Sequence, residues 1–157
     1  MGYYFLDSSA LVKRYVSEIG TDWVRKLTDI TSKNVIMINR ITSIEVVAAL
    51  ARRAKSGSLS SPDATYAISR FKSELVSHFR LTDLTPTLAN RAISVAETRQ
   101  LRGYDALQLA TALLIYDELV ASGVSTLYTY ILVSADNELN NAAILEGLAV
   151  DNPNNHP

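Results

Sequence analysis

Asp105 stands where a carboxylate is costly. It lies in Arg102-Gly103-Tyr104-Asp105-Ala106-Leu107-Gln108-Leu109-Ala110-Thr111-Ala112-Leu113, where Gly103 breaks the preceding pattern and an apolar helix is expected to about Val120. Leu101, Asp105, Leu109, Leu113 and Tyr116 recur at steps of three and four, so they share one helix face. An acid on that stripe needs a partner. All fifteen Lys and Arg lie at or before Arg102, so later turns of the helix supply no base. A metal ion would serve instead. Three further acids stand in comparable places. Asp7 follows the β-prone run Tyr3-Tyr4-Phe5-Leu6, and Asp136 follows a second such run ending at Ser134-Ala135. Glu45 has Ile41, Ala48 and Ala49 as its i−4, i+3 and i+4 neighbours, so its helix face reads as buried.

The chemistry follows from repulsion. Two like charges ~4 Å apart repel by about 4 kcal/mol at an effective dielectric of ~20. Four carboxylates in one cleft therefore raise one another's pKa or recruit a divalent cation. An all-oxygen set favours Mg²⁺ or Mn²⁺ over Zn²⁺. Such an ion keeps its waters, acidifies one as a nucleophile and accepts a phosphate oxygen, which is phosphodiester hydrolysis. Lys13, Arg14, Arg40, Arg52 and Arg53 are the bases to hold a polyanion around that cleft. Each acid also has a plainer account. Asp7 (or Ser8) and Asp136 precede helices and suit N-caps. Thr42 followed by Glu45 has capping-box spacing. Ser134 reads first as a strand-end residue and second as a hydrogen-bond donor to a carboxylate or phosphate. His78 reads as a partly exposed helix residue with no second internal His to work with.

The elements that must position these acids alternate. Strands are expected at Tyr3–Leu6, Val35–Ile38, Leu81–Leu84, Leu127–Ser134 and Leu148–Val150. Helices are expected from Ala10 to Tyr15, Gly20 to about Thr31, Thr42 to Lys55, and Ser60 to about Phe79. Others run from Thr85 to about Leu101, from Gly103 to Val120, and from Asn137 to Glu146 with Gly147 as C-cap. This order predicts a mostly parallel sheet covered by helices on both faces. Right-handed crossovers then bring the strand ends to one edge, where Asp7 and Asp136 leave strands and Glu45 and Asp105 enter helices.

Composition sets the frame. A chain of 157 residues, 48% hydrophobic and 20% charged, is expected to form one globular, soluble domain over residues 1–150. Residues 151–157 read as a polar tail in which His156 is disordered. No apolar run approaches the ~20 residues of a membrane span, and no basic leader precedes an apolar segment. With no Cys, disulfides and thiolate sites are excluded and a cytoplasmic address is the default. Charge is blocked along the chain. Residues 1–102 hold fifteen bases and nine acids, a net +6, while residues 103–157 hold seven acids and no base. Such blocks suit an anionic partner beside a cation site, or are cosmetic if the halves interleave in space.

Four stretches then carry a resemblance. They are Phe5-Leu6-Asp7-Ser8-Ser9-Ala10-Leu11-Val12-Lys13, Ser43-Ile44-Glu45-Val46, Arg102-Gly103-Tyr104-Asp105-Ala106-Leu107-Gln108-Leu109-Ala110 and Ser134-Ala135-Asp136-Asn137-Glu138-Leu139. With the closing Ala143-Ile144-Leu145-Glu146-Gly147-Leu148, they resemble the PIN-domain family over nearly the whole chain, and within it the VapC-type toxins of toxin–antitoxin pairs. The resemblance implies a three-layer α/β/α sandwich. It implies a Mg²⁺- or Mn²⁺-dependent endoribonuclease with Asp7, Glu45, Asp105 and Asp136 as catalytic and metal-binding acids. It implies a homodimer inhibited by a cognate antitoxin. The alternative is a PIN module that binds RNA or protein without cutting. The segment from Ser122 to Tyr130 is longer than the family's usual connection into that strand.

Overall fold

The structure is a computed structural model and describes residues 1–124 and 127–157. Part of the long Ser122–Tyr130 connection, residues 125 and 126, lies outside the described residues. Five strands, β1 (Tyr3–Leu6), β2 (Val35–Asn39), β3 (Arg80–Thr82), β4 (Tyr130–Val133) and β5 (Val150–Asp151), form one sheet. Its order is β3-β2-β1-β4-β5, and every pairing is parallel. The helices are α1 (Ser8–Leu11), α2 (Thr21–Leu27), α3 (Arg40–Ser56), α4 (Ser61–Ser77), α5 (Pro86–Arg99), α6 (Gly103–Ala121) and α7 (Asn137–Leu145). Sequential crossovers from β1 run outward to β2 and β3, and the chain then returns to β4 on the other side. That reversal leaves a crevice at the carboxyl edge between β1 and β4, the usual ligand position in such sheets.

Period-two alternation in the strands sorts the core into two layers. Phe5, Met37 and Leu132 pack with α5, α6 and α7 through Leu88, Leu109, Leu113 and Leu139. Leu6, Ile36, Ile38 and Val133 pack with the helices of the first half through Leu11, Val24, Val46, Leu50 and Phe71. The three-layer α/β/α architecture is thus present. Among the described residues, no helix is long and apolar enough to cross a membrane.

Four details differ from the sequence reading. First, α6 has no single apolar stripe: all eight residues from Ala106 to Leu113 are buried, because the helix is covered all round. Second, α3 starts at Arg40, capped by Asn39, whose side chain accepts the Ile41 N–H at 2.8 Å. Thr42 is inside the helix and buried, so there is no capping box. Third, β4 begins at Tyr130 rather than Leu127, and the last strand is Val150–Asp151. Fourth, residues 151–157 are not a loose tail. His156 stacks on Trp23 with ring centroids 4.3 Å apart and bonds Asp151 at 2.8 Å. A Cβ on Gly20 would lie 2.3 Å from the Pro153 carbonyl oxygen, so the return of this segment requires glycine there. Polar composition concealed these contacts, and those to Trp23 and Gly20 join residues more than a hundred positions apart.

Candidate active site

Asp7 is the first residue past β1 and is 5% exposed. It caps α1, accepting the Ala10 N–H at 3.0 Å, so the capping account holds. The Ser9 hydroxyl donates to both of its oxygens, at 2.8 and 2.9 Å, and Ser134 donates to Oδ2 at 3.0 Å. No base pairs with it among the described residues. Burial pushes its pKa from 3.8 up to about 6, against the opposing pull of these four neutral hydrogen bonds. Ser134 therefore does hold a carboxylate. Its oxygen also accepts the Asp136 N–H at 2.9 Å, so one hydroxyl ties the Asp7 and Asp136 segments together.

Asp136 caps α7 and accepts the N–H groups of Glu138 and Leu139 at 2.7 and 3.1 Å. Asn140, one turn on, donates to the Ser134 carbonyl at 2.9 Å and pins the end of β4. Glu45 lies in the second turn of α3, half-buried. Gln108 of α6 donates Nε2–H bonds to Glu45 at 3.0 Å and to Thr42 at 2.9 Å. Burial raises the Glu45 pKa; Gln108, Ser8 and Arg52 oppose the rise, and the charge of Asp105 adds to it. Asp105 is in the first turn of α6, also half-buried. Burial raises its pKa, the negative charges of Asp136 and Glu138 raise it further, and Arg102 opposes them.

The sheet's carboxyl edge thus brings the acids into one electrostatic neighbourhood: Glu45 feels Asp105, and Asp105 feels Asp136. Asp7 is joined to the set through Ser134. Sequence reasoning missed Gln108, Ser9 and Glu138. Gln108 had a legible signal, a polar residue amid apolar ones three positions after Asp105. Ser9 and Glu138 are detectable only once β1 and β4 are neighbours.

Four of the five bases assigned to a polyanion are engaged elsewhere. Lys13 is buried, donating to the Ile19 carbonyl at 2.9 Å and pairing with Glu18 at 3.1 Å. Arg14 is buried against Glu74, Arg53 pairs with Glu18, and Arg40 pairs with Asp83. Arg52 forms no ion pair among the described residues and stands beside Glu45, and Arg102 stands likewise beside Asp105.

The donor chemistry, carboxylates only and mutually repelling, suits a hard divalent cation. In their present rotamers, no group of three acidic or His side chains among the described residues is arranged to hold one.

A stability consequence follows from Asp7. Its folded-state pKa, about 6, exceeds the ordinary 3.8, so its protonated form favours folding. That contribution is complete below 3.8 and is lost as pH rises through about 6, amounting to about 3 kcal/mol. Metal-free Asp7→Asn, which keeps the cap and the shape, is therefore expected to melt higher than wild type at neutral pH and equally near pH 3.8. Thermal melts across that range in EDTA test it; an equal gap at both ends removes burial of the charge as the cause.

Comparison with known proteins agrees with the fold. A family model for the PIN domain matches residues 4–145. A search of curated proteins returns no match. Among solved structures, PAE2754 from Pyrobaculum aerophilum is 24% identical with a TM-score of 0.61, covering 95% of this chain and 89% of its own. A toxin–antitoxin complex from Klebsiella pneumoniae has a chain 18% identical with a TM-score of 0.59, covering 96% and 97%. VapC20 of Mycobacterium tuberculosis, a toxin that cleaves the sarcin–ricin loop, is 18% identical with a TM-score of 0.60, covering 88% and 94%. A parallel sheet in the order 3-2-1-4-5, acids gathered at its carboxyl edge and a family match over most of its length place this chain in the PIN domain family.

Proposed function

We propose that this chain is a Mg²⁺- or Mn²⁺-dependent endoribonuclease, the toxin of a toxin–antitoxin pair. The observation that carries the reading is the coupling of Glu45 to Asp105 and of Asp105 to Asp136 at one sheet edge, with too few bases to neutralise them. Asp7, Glu45, Asp105 and Asp136 would hold the cation. When bound, it would acidify a water molecule and offset charge on a phosphate oxygen. Ser9 and Ser134 fix the Asp7 carboxylate, and Gln108 fixes Glu45, so both acids are oriented before substrate arrives. Arg52 and Arg102 attract the RNA backbone to the rim. The likeness to VapC20 and to the Klebsiella toxin–antitoxin complex supports an RNA substrate and a cognate antitoxin.

Purified protein incubated with total RNA tests the reading. Cleavage is expected with Mg²⁺, and loss of cleavage with EDTA. Because water rather than the neighbouring 2′-hydroxyl attacks, the products should carry 5′-phosphate and 3′-hydroxyl ends. Ends bearing 2′,3′-cyclic phosphate would remove this mechanism. Mg²⁺ should also raise the melting temperature by binding only the folded acids, with about 2.7 kcal/mol of stabilisation at a hundred times its Kd. A melt indifferent to Mg²⁺ counts against the cation site.

A further inference from the structure

Beside the acids lies a cleft of about 520 Å³ between α1, α3 and the start of α6. Ile41, Ile44 and Ala48 line it together with Glu45, Arg52 and Tyr104. Its size is within the ~300–1,000 Å³ of ligand pockets. Tyr104 is 61% exposed and Ile44 62%. Tyr104 precedes Asp105 directly, and adjacent Cα atoms are ~3.8 Å apart. Tyr104 and Glu45 line the same cleft, so a strand whose phosphate meets the acids carries a neighbouring base past the Tyr104 ring. Arg52, on the other side, forms no ion pair among the described residues and is exposed, the state expected of a base that meets a phosphate.

We propose that Tyr104 and Arg52 form a subsite for one unstacked base of single-stranded RNA, with its flanking phosphate toward Arg52. Paired bases in an A-form duplex cannot turn onto such a ring, whereas splayed bases in loops and single strands can. Stacking on tyrosine accepts any base, so the subsite selects single-strandedness rather than sequence. This rests on reading the acid edge as an RNA-cleaving site.

The test is binding in EDTA, where nothing is cut, using a short fluorescein-labelled oligoribonucleotide and the same strand annealed to its complement. Tyr104→Ala is expected to weaken single-strand binding about tenfold, with Tyr104→Phe close to wild type. Tyr104→Trp should lose fluorescence on adding the strand but not the duplex. Arg52→Ala should lower the salt slope of binding by about one. Unchanged affinity in Tyr104→Ala, equal quenching by duplex, or no binding of either RNA overturns the proposal; in the first case the cleft is left for a protein partner's side chain. The two readings fail separately. Tyr104-dependent binding without Mg²⁺-dependent cleavage sinks the nuclease and keeps the subsite. Cleavage at the wild-type rate and KM by Tyr104→Ala does the reverse.

Discussion

Asp105→Asn is expected to abolish RNA cleavage while the metal-free protein melts no lower than wild type. The two effects share one cause. Asp105 is half-buried, its pKa is raised by burial and by Asp136 and Glu138, and Arg102 opposes them. Replacing the carboxylate by an amide removes a repulsion that the fold tolerates and a charge that the chemistry needs. Asp105 would help to hold the cation that offsets charge on the phosphate, and loss of one such charge-stabilising element costs ~10²–10³ in rate, so a reduction on the order of a thousandfold is expected. Asp105 carries no cap and no hydrogen bond among those described, unlike Asp7 and Asp136, so its substitution gives the clearest separation of activity from folding. Oligoribonucleotide cleavage with Mg²⁺ and thermal melts in EDTA measure the pair. An Asp105→Asn protein that still cuts at the wild-type rate would end the assignment, and one that melts far lower would make Asp105 a structural residue.

Glu74→Gln should produce the largest loss of stability of any single acid, about 3–5 kcal/mol. Glu74, on α4, receives two parallel bonds from Arg14, at 2.8 and 3.0 Å, one from Tyr15 at 2.5 Å and one from Arg70 at 3.0 Å. Arg14 is 7% exposed and its remaining guanidinium nitrogen donates to Thr28 at 2.8 Å. Removing the carboxylate leaves a guanidinium buried without a counter-charge, which costs more than the pair itself contributes. Burial alone would raise the Glu74 pKa, but Arg14 and Tyr15 outweigh it and bring it from 4.5 down to about 2. A depressed carboxylate stabilises the fold above its ordinary pKa. The contribution is therefore full above 4.5 and lost as pH falls through about 2. Urea unfolding of both proteins should show the gap at neutral pH and its narrowing toward pH 2. A gap that persists unchanged in acid would mean that Glu74 acts by packing rather than by charge. Its distance from the proposed chemistry predicts that folded Glu74→Gln still cleaves.

The two networks divide the labour of the first half of the chain. Lys13, Arg14 and Arg53 hold the loop after α1 to α3 and α4 through Glu18 and Glu74, so their charge is neutralised inside the protein. These pairs lie within residues 1–102 and leave that block's net +6 unchanged; beside the acid edge, the bases without an ion pair among the described residues are Arg52 and Arg102. Folding interleaves the two charge blocks: Arg91 pairs with Asp117 and Arg99 with Glu146.

Local patterns sufficed for much of this molecule. Short β-prone runs separated by helical ones determined a parallel α/β sandwich, because strand alternation and helix periodicity are properties of neighbouring residues. Acids at strand ends and helix starts were visible for the same reason, as was the family to which they point. What the chain text could not decide was which long-range partners each polar group would find. Asn39 rather than Thr42 caps α3, and Thr42 instead meets Gln108, sixty-six positions away. Lys13 and Arg14 are buried because Glu18 and Glu74 neutralise them. His156 is ordered because Trp23 offers it a face. Burial and pairing are set by packing across the whole chain, and only the tertiary structure specifies that.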